Sequence, residues 1–146
     1  MSSIQEKIFI NTLRDKNYSV TNTRLNIFRQ LLGSEPKTMH ELYKECHVFC
    51  DRASLYRNIK LLESLGVVQR ISIGWKYKVE LSDQFTDHHH HITCRRCGTT
   101  ETLPEEAALE KLIGDLVRGS GYTAAKHQLE ISGVCAKCRT ANSNNQ

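Results

Sequence analysis

The chain has 146 residues, enough for one ordinary domain or two small ones, and 39% of them are apolar, as in a folded soluble protein. No apolar run approaches the length of a membrane span. The start, MSSIQEKIFINTLRDK, is polar and helical in pattern rather than a secretory leader, so a cytoplasmic protein is expected. The net charge of +4 is unevenly placed: residues 1–83 hold 13 Lys+Arg against 9 Asp+Glu, whereas residues 84–146 hold 7 of each, so a polyanionic partner would belong to the first part.

In chain order, Ile4, Ile8, Phe9 and Leu13 recur at helical spacing. Thr21 or Asn22 can cap a second helix carrying Leu25, Phe28, Leu31 and Leu32, with Gly33 past its end. Thr38-x-x-Glu41 is a capping-box pattern followed by Leu42 and Tyr43. A fourth helix is predicted between Asp51 and Gly66. Leu55, Ile59 and Leu62 share one face of it, and Ala53, Tyr56, Arg57 and Lys60 point the other way. After Gly66 the period changes to two. Ile71 and Ile73, then Tyr77, Val79 and Leu81, alternate with polar residues around Gly74-Trp75 and predict a hairpin. Helices that end in a hairpin make a winged helix-turn-helix over residues 1–82, with residues 51–65 as the recognition helix.

The polar stretch SDQFTD connects this domain to the rest, with residues 83–87 as a hinge. Beyond it, Ile92–Cys94 and Thr99–Leu103 are short predicted strands. Pro104, Glu105 and Glu106 suit the first turn of a helix whose apolar face is Leu109, Leu112, Ile113, Leu116 and Val117, ended by Gly119 and Gly121. Residues 122–132 alternate and predict a strand holding His127, Leu129 and Ile131. The expected fold class is α+β: the winged helix, then a small α/β domain over residues 88–139, with residues 140–146 a disordered tail.

Cys94-x-x-Cys97 and Cys135-x-x-Cys138 supply four thiolates, the donor set of structural zinc. The residues between the pairs can fold into the helix and strands just described. With all four positions filled by protein, such a site has no place for a substrate. Ahead of the first pair stand four histidines. In an extended segment neighbours point to opposite sides, so His88 and His90 face one way and His89 and His91 the other. One strand can then serve two metals. Imidazole with carboxylate suits zinc, iron, nickel or manganese, and Glu80, Glu101, Glu110 and His127 are further candidate ligands. Cys46 and Cys50 have no neighbours that complete a metal set and are expected to be small buried residues or unreactive thiols. Trp75 sits at the expected wing tip.

The segments VTNTR (20–24), RASLYRNIKLLESLGVV (52–68), KVEL (78–81), HHHHITCRRCG (88–98) and KHQLEISGVCAKC (126–138), in this order, resemble the ferric uptake regulator family of bacterial metal-dependent repressors over about residues 4–139. The resemblance implies a homodimer that binds a palindromic operator when its sensory metal, Fe2+ or Zn2+, is bound. It implies DNA contacts from Tyr56, Arg57 and Arg24, with Arg52, Ser54 and Lys60 on the same recognition segment. It implies structural Zn2+ on Cys94, Cys97, Cys135 and Cys138. It also implies a sensory site of Glu80, His89 and His91, with Glu101 as its second carboxylate, and a further site of His88, His90, Glu110 and His127.

The chain departs from the family's pattern at several places. Pro36 stands nearest to where many iron-sensing members have another sensory histidine, and Glu101 comes one position early. His90 replaces a frequent aspartate, and Ser19 replaces a basic residue. Glu80 occupies the place of a cysteine often found in zinc sensors and of an aspartate usual in peroxide sensors. The alternative class is a zinc enzyme of the deaminase type. That chemistry needs His-x-Glu, Pro-Cys-x-x-Cys and an open coordination position, and neither cysteine pair here follows a proline. The expectation is therefore a regulator without catalysis, without a small organic substrate and without a membrane partner.

Overall fold

The computed structural model describes residues 3–73, 76–123 and 126–143. The chain forms two compact units, residues 1–87 and residues 88–146.

The first unit holds α1 (Ile4–Asp15), α2 (Asn22–Leu31), α3 (Met39–Cys46), α4 (Arg52–Ser64), β1 (Val68–Ile73) and β2 (Lys76–Leu81). Every helix begins at a side-chain cap: Ser3, Thr21, Thr38 and Asp51 each accept a bond from a backbone N–H three residues on. Thr21, not Asn22, caps α2. At α3 the box is complete, since Glu41 also returns a carboxylate oxygen to the Thr38 N–H at 2.7 Å. The apolar faces meet in one core. Phe9 stacks on Phe28 with ring centroids 4.4 Å apart, and Leu13, Ile27, Leu31, Leu42, Leu55, Ile59 and Leu62 are buried around them. Glu6 and Arg29 clamp α1 to α2 with bonds of 2.7 and 3.1 Å.

Gly66, at φ 70°, turns the chain out of α4 into an antiparallel hairpin that runs from Val68 opposite Leu81 to Ile73 opposite Lys76. Its tip, Gly74-Trp75, lies outside the described residues. Phe85, inside the polar segment read as a connection, is buried edge-on against Phe28 at 5.1 Å. A single aromatic in a polar stretch is enough to draw that stretch onto the core. Among the described residues, no helix is long and apolar enough to cross a membrane.

The second unit holds β3 (His90–Cys94), β4 (Thr100–Leu103), α5 (Ala107–Gly119), β5 (Glu130–Gly133) and α6 (Ala136–Ser143). The sheet order is β4-β3-β5, with β3 antiparallel to β4 and parallel to β5. A parallel pair needs a long crossover, and α5 lies in it. Three details differ from the sequence reading. Glu106 is the N-cap of α5, so Pro104 and Glu105 precede the helix instead of opening it. The last strand covers only Glu130–Gly133, leaving His127 and Leu129 ahead of it, because pairing with β3 is what defines it. The chain from Ala136 to Ser143, partly assigned to a disordered tail, is helical. Its first turn closes with Arg139 N–H on the Cys135 carbonyl at 3.0 Å. Residues 144–146 lie outside the described residues.

Thr38→Ala should cost about 1 kcal/mol of stability, read as a shifted urea midpoint at constant slope. The Glu41 carboxyl is held below its ordinary value, first by the Thr38 backbone N–H. Its contribution is therefore full above the ordinary carboxylate range and lost as pH falls through the depressed value. Glu41→Gln should flatten that part of the acid limb of the stability curve.

Candidate metal centres

The parallel pairing places Cys94, the last residue of β3, beside Gly133, the last of β5. The chain leaving β5 therefore delivers Cys135 to the end of β3, where its backbone N–H reaches Cys94 Sγ at 3.4 Å. Gly98, at φ 76°, closes the first knuckle with its N–H on the Cys94 carbonyl at 2.8 Å, and Cys138 follows in the first turn of α6. The four sulfurs lie within 4.8 Å of one another, and Cys97 Sγ is 3.8 Å from Cys135 Sγ. A tetrahedron with zinc–sulfur bonds of about 2.3 Å has edges of about 3.8 Å, so the spacing fits.

The thiols differ in how readily they ionise. The Cys135 N–H, ahead of other backbone donors, pulls Cys94 down to about 6, and Thr99 lowers Cys97. Hydrogen bonding to Cys135, then burial, pushes Cys138 up to about 12. Four thiolates cannot share this space unless a cation compensates them. Arg96 fixes the backbone there, donating to the Cys138 carbonyl at 2.7 Å.

A second cluster is built from β3, α5 and the segment before β5. His90 Nε2 lies 2.8 Å from Glu110 Oε1, His127 Nε2 is 3.1 Å from Glu110 Oε2, and His88 Nε2 is 3.2 Å from His127 Nε2. All four groups offer an atom within 4.8 Å of the others. Bonds of about 2.0–2.1 Å to a tetrahedral ion imply edges of roughly 3.4 Å; the three separations above are a few tenths of an ångström shorter, and His88 Nε2 to Glu110 Oε1, at 3.6 Å, is slightly longer. Burial opposes ionisation of Glu110. The His90 hydrogen bond and the charges of His127, His88 and His90 outweigh it and hold the carboxyl below its usual value. His90 is 2% exposed, and its Nδ1 is buried with no hydrogen-bond partner among the described residues, so the polar contact of this ring is directed into the cluster. These are three imidazoles and one carboxylate, a set that suits zinc.

His89 and His91 meet edge to face with centroids 4.7 Å apart, separate from the His88–His90 pair at 4.9 Å, as alternation requires. Glu101 does not join them. The register sets Glu101 opposite Ile92, and directly paired side chains lie on one face, so Glu101 shares the His90 side of the sheet and lines a small cavity with Ile92 and Cys94. Opposite His91 stands Thr102. The one-residue offset noted in the sequence moved the carboxylate to the other face. Pro36, buried in the first unit, has no ligand atom to offer. Glu80, near the end of β2, is buried, and its Oε1 accepts from Gln69 Nε2 at 2.7 Å.

On α4 the residues expected at DNA divide. Tyr56, Arg57 and Lys60 are exposed, opposite the buried Leu55, Ile59 and Leu62. Arg52 is exposed over the Tyr43 ring at 4.8 Å. Ser54 is half-buried, with its N–H on the Asp51 cap. Arg24 turns inward to Asn58, a partner that sequence spacing on one helix could not reveal.

The model of the Ferric uptake regulator family matches residues 15–132. The chain is 29% identical to the ferric uptake regulation protein of Bacillus subtilis, over 86% of this chain and 89% of that one. It is 31% identical to that of Neisseria meningitidis, over 87% and 90%. The ferric uptake regulator of Helicobacter pylori, described as having three functional metal-binding sites, superposes with a TM-score of 0.76 over 95% of this chain and 97% of that one. At 17% identity this likeness concerns the fold.

Cys97→Ser should lower the zinc content of the purified chain by about one equivalent and destabilise it, because a structural zinc supplies folding free energy. Unchanged zinc by elemental analysis, with an unchanged melting curve, would contradict the geometric fit.

Proposed function

The chain belongs to the ferric uptake regulator family, and from that premise we propose that this metal-responsive repressor binds a palindromic operator as a homodimer when its sensory ion, Fe2+ or Zn2+, is bound. The observation that carries the reading is the presence, in one chain, of an exposed Tyr56–Arg57–Lys60 face on α4 and two side-chain clusters spaced for a cation. Tyr56 and Arg57 are the reading residues. Arg52, Ser54 and Lys60 support the contact, by charge or by hydrogen bond, along the same helix.

The four cysteines hold Zn2+ and keep the ends of β3 and β5 together. His88, His90, Glu110 and His127 hold a second ion. The sensory role falls to Glu80, His89 and His91, on the resemblance in sequence. Glu80 precedes residues 82–87 and the two histidines follow them, so a shared ion restricts that connection and lowers the ordering cost of binding two half-sites at once. The family is one of regulators, and no residue is assigned a catalytic step. A cytoplasmic location follows from the same reading.

Dimerisation is supported by α5. It buries no residue, and Leu112 and Leu116 are 55% and 62% exposed, with Ile131 of β5 at 41%. An amphipathic helix in that condition needs a partner surface, and a second copy supplies the same face.

His89→Ala should abolish metal-stimulated operator binding while leaving the cysteine zinc in place. His88→Ala should act mainly on the second ion, with a smaller effect on DNA binding. A titration of DNA binding with Fe2+ and with Zn2+ separates them; identical behaviour of the two variants would refute the division of roles. Leu116→Glu should convert the dimer to monomer in sedimentation velocity, and a dimer of native affinity would remove α5 from the interface.

A further inference from the structure

Arg24 sits in the first turn of α2, with its N–H on the Thr21 cap at 3.3 Å. Its Nε donates to Asn58 Oδ1 on α4 at 3.2 Å, and a terminal nitrogen donates to the Ser19 carbonyl. The guanidinium carbon stands 5.8 Å from the centroid of the Tyr18 ring. The orientation of the Asn58 amide is fixed independently. Its Nδ2 donates to the Ser54 carbonyl at 2.9 Å, which leaves Oδ1 turned toward Arg24. One side chain thus joins the α1–α2 loop, α2 and α4.

Asn58 follows Arg57 directly and lies two residues after Tyr56, so any rotation of α4 about its axis moves all three together. The Leu55–Ile59–Leu62 stripe determines how α4 seats on the core, but apolar contact is non-directional. A hydrogen bond weakens steeply with angle and can stop the helix from rolling.

Resting on the DNA-binding reading above, we propose that Arg24 is a positioning residue: through Asn58 it sets the roll of α4, and with it the aim of Tyr56 and Arg57 at base edges. The competing role for an arginine at this place is neutralisation of a phosphate. The two roles separate cleanly, because Lys keeps the charge and loses the bond geometry.

The test uses the metal-loaded full chain, the duplex that the wild-type chain selects from a randomised pool, and a scrambled duplex of the same composition. Arg24→Lys and Asn58→Ala should each reduce the preference for the selected duplex by about tenfold. Binding to the scrambled duplex and its salt dependence should stay native. The double variant should lose no more than either single one. Melting curves of Arg24→Lys and Asn58→Ala establish that both are folded. The inference is overturned if Arg24→Lys behaves as wild type while Arg24→Ala weakens both duplexes alike with a salt slope smaller by about one, which is the phosphate outcome. It is equally overturned if the two single effects add. The combined Tyr56→Ala and Arg57→Ala variant monitors the underlying reading: if it leaves the preference intact, α4 does not read DNA and the assignment of Arg24 falls with it.

Discussion

The parallel pairing of β3 with β5 is the contact on which the second unit depends. Residues far apart in sequence become neighbours through it: His91 beside Glu130, Cys94 beside Gly133. Everything chemical in this unit follows from that register. Cys135 arrives at the N–H distance from Cys94, and His127, just ahead of β5, arrives at His88 and Glu110. A parallel pair cannot be closed by a tight turn, so the connection carries α5, and α5 brings Glu110. A cation bound by the four cysteines would hold the far end of this pair. That arrangement suits a unit whose helix buries no side chain of its own.

Alternation along β3 then divides the chemistry. His90 faces Glu110, and His91 faces away from it, on the side where Thr93 meets Thr100 at 3.1 Å. The division is strict, because a shift of one residue moves a side chain through the sheet. Glu101 shows the consequence. It is an acidic residue close in sequence to the histidines, yet it lies with Ile92 rather than with His91. On β4 the residue opposite His91 is therefore a hydroxyl, that of Thr102, whereas on β5 it is the carboxylate Glu130.

The first unit is governed by different physics. Four capped helices gather an apolar core around Phe9 and Phe28, and the hairpin is tied back by two backbone bonds between Lys37 and Val79, at 3.0 and 2.7 Å. The same core that buries Leu55, Ile59 and Leu62 turns Tyr56, Arg57 and Lys60 outward, so burial on one face of α4 produces the exposed face on the other. Cys46, buried within this core, has its thiol pushed up to about 12, chiefly by that burial; it packs as a small apolar group and is not a nucleophile.

Local pattern alone determined the helices of the first unit, the hairpin, the capping box at Thr38 and the two faces of α4. It also determined the pairing of cysteine with cysteine and of odd with odd histidines. These depend on periodicity and on contacts three or four residues apart, which a sequence displays directly. Tertiary structure decided what depends on register or on partners distant in the chain. It drew Phe85 onto the core, shortened the last strand to the four residues that pair with β3, and closed a helix after Cys135. It placed Glu101 on the wrong face for His91 and turned Arg24 toward Asn58. A hydrogen bond between residues thirty-four apart leaves no periodic trace, and a strand's partner fixes which side of the sheet each of its side chains will occupy.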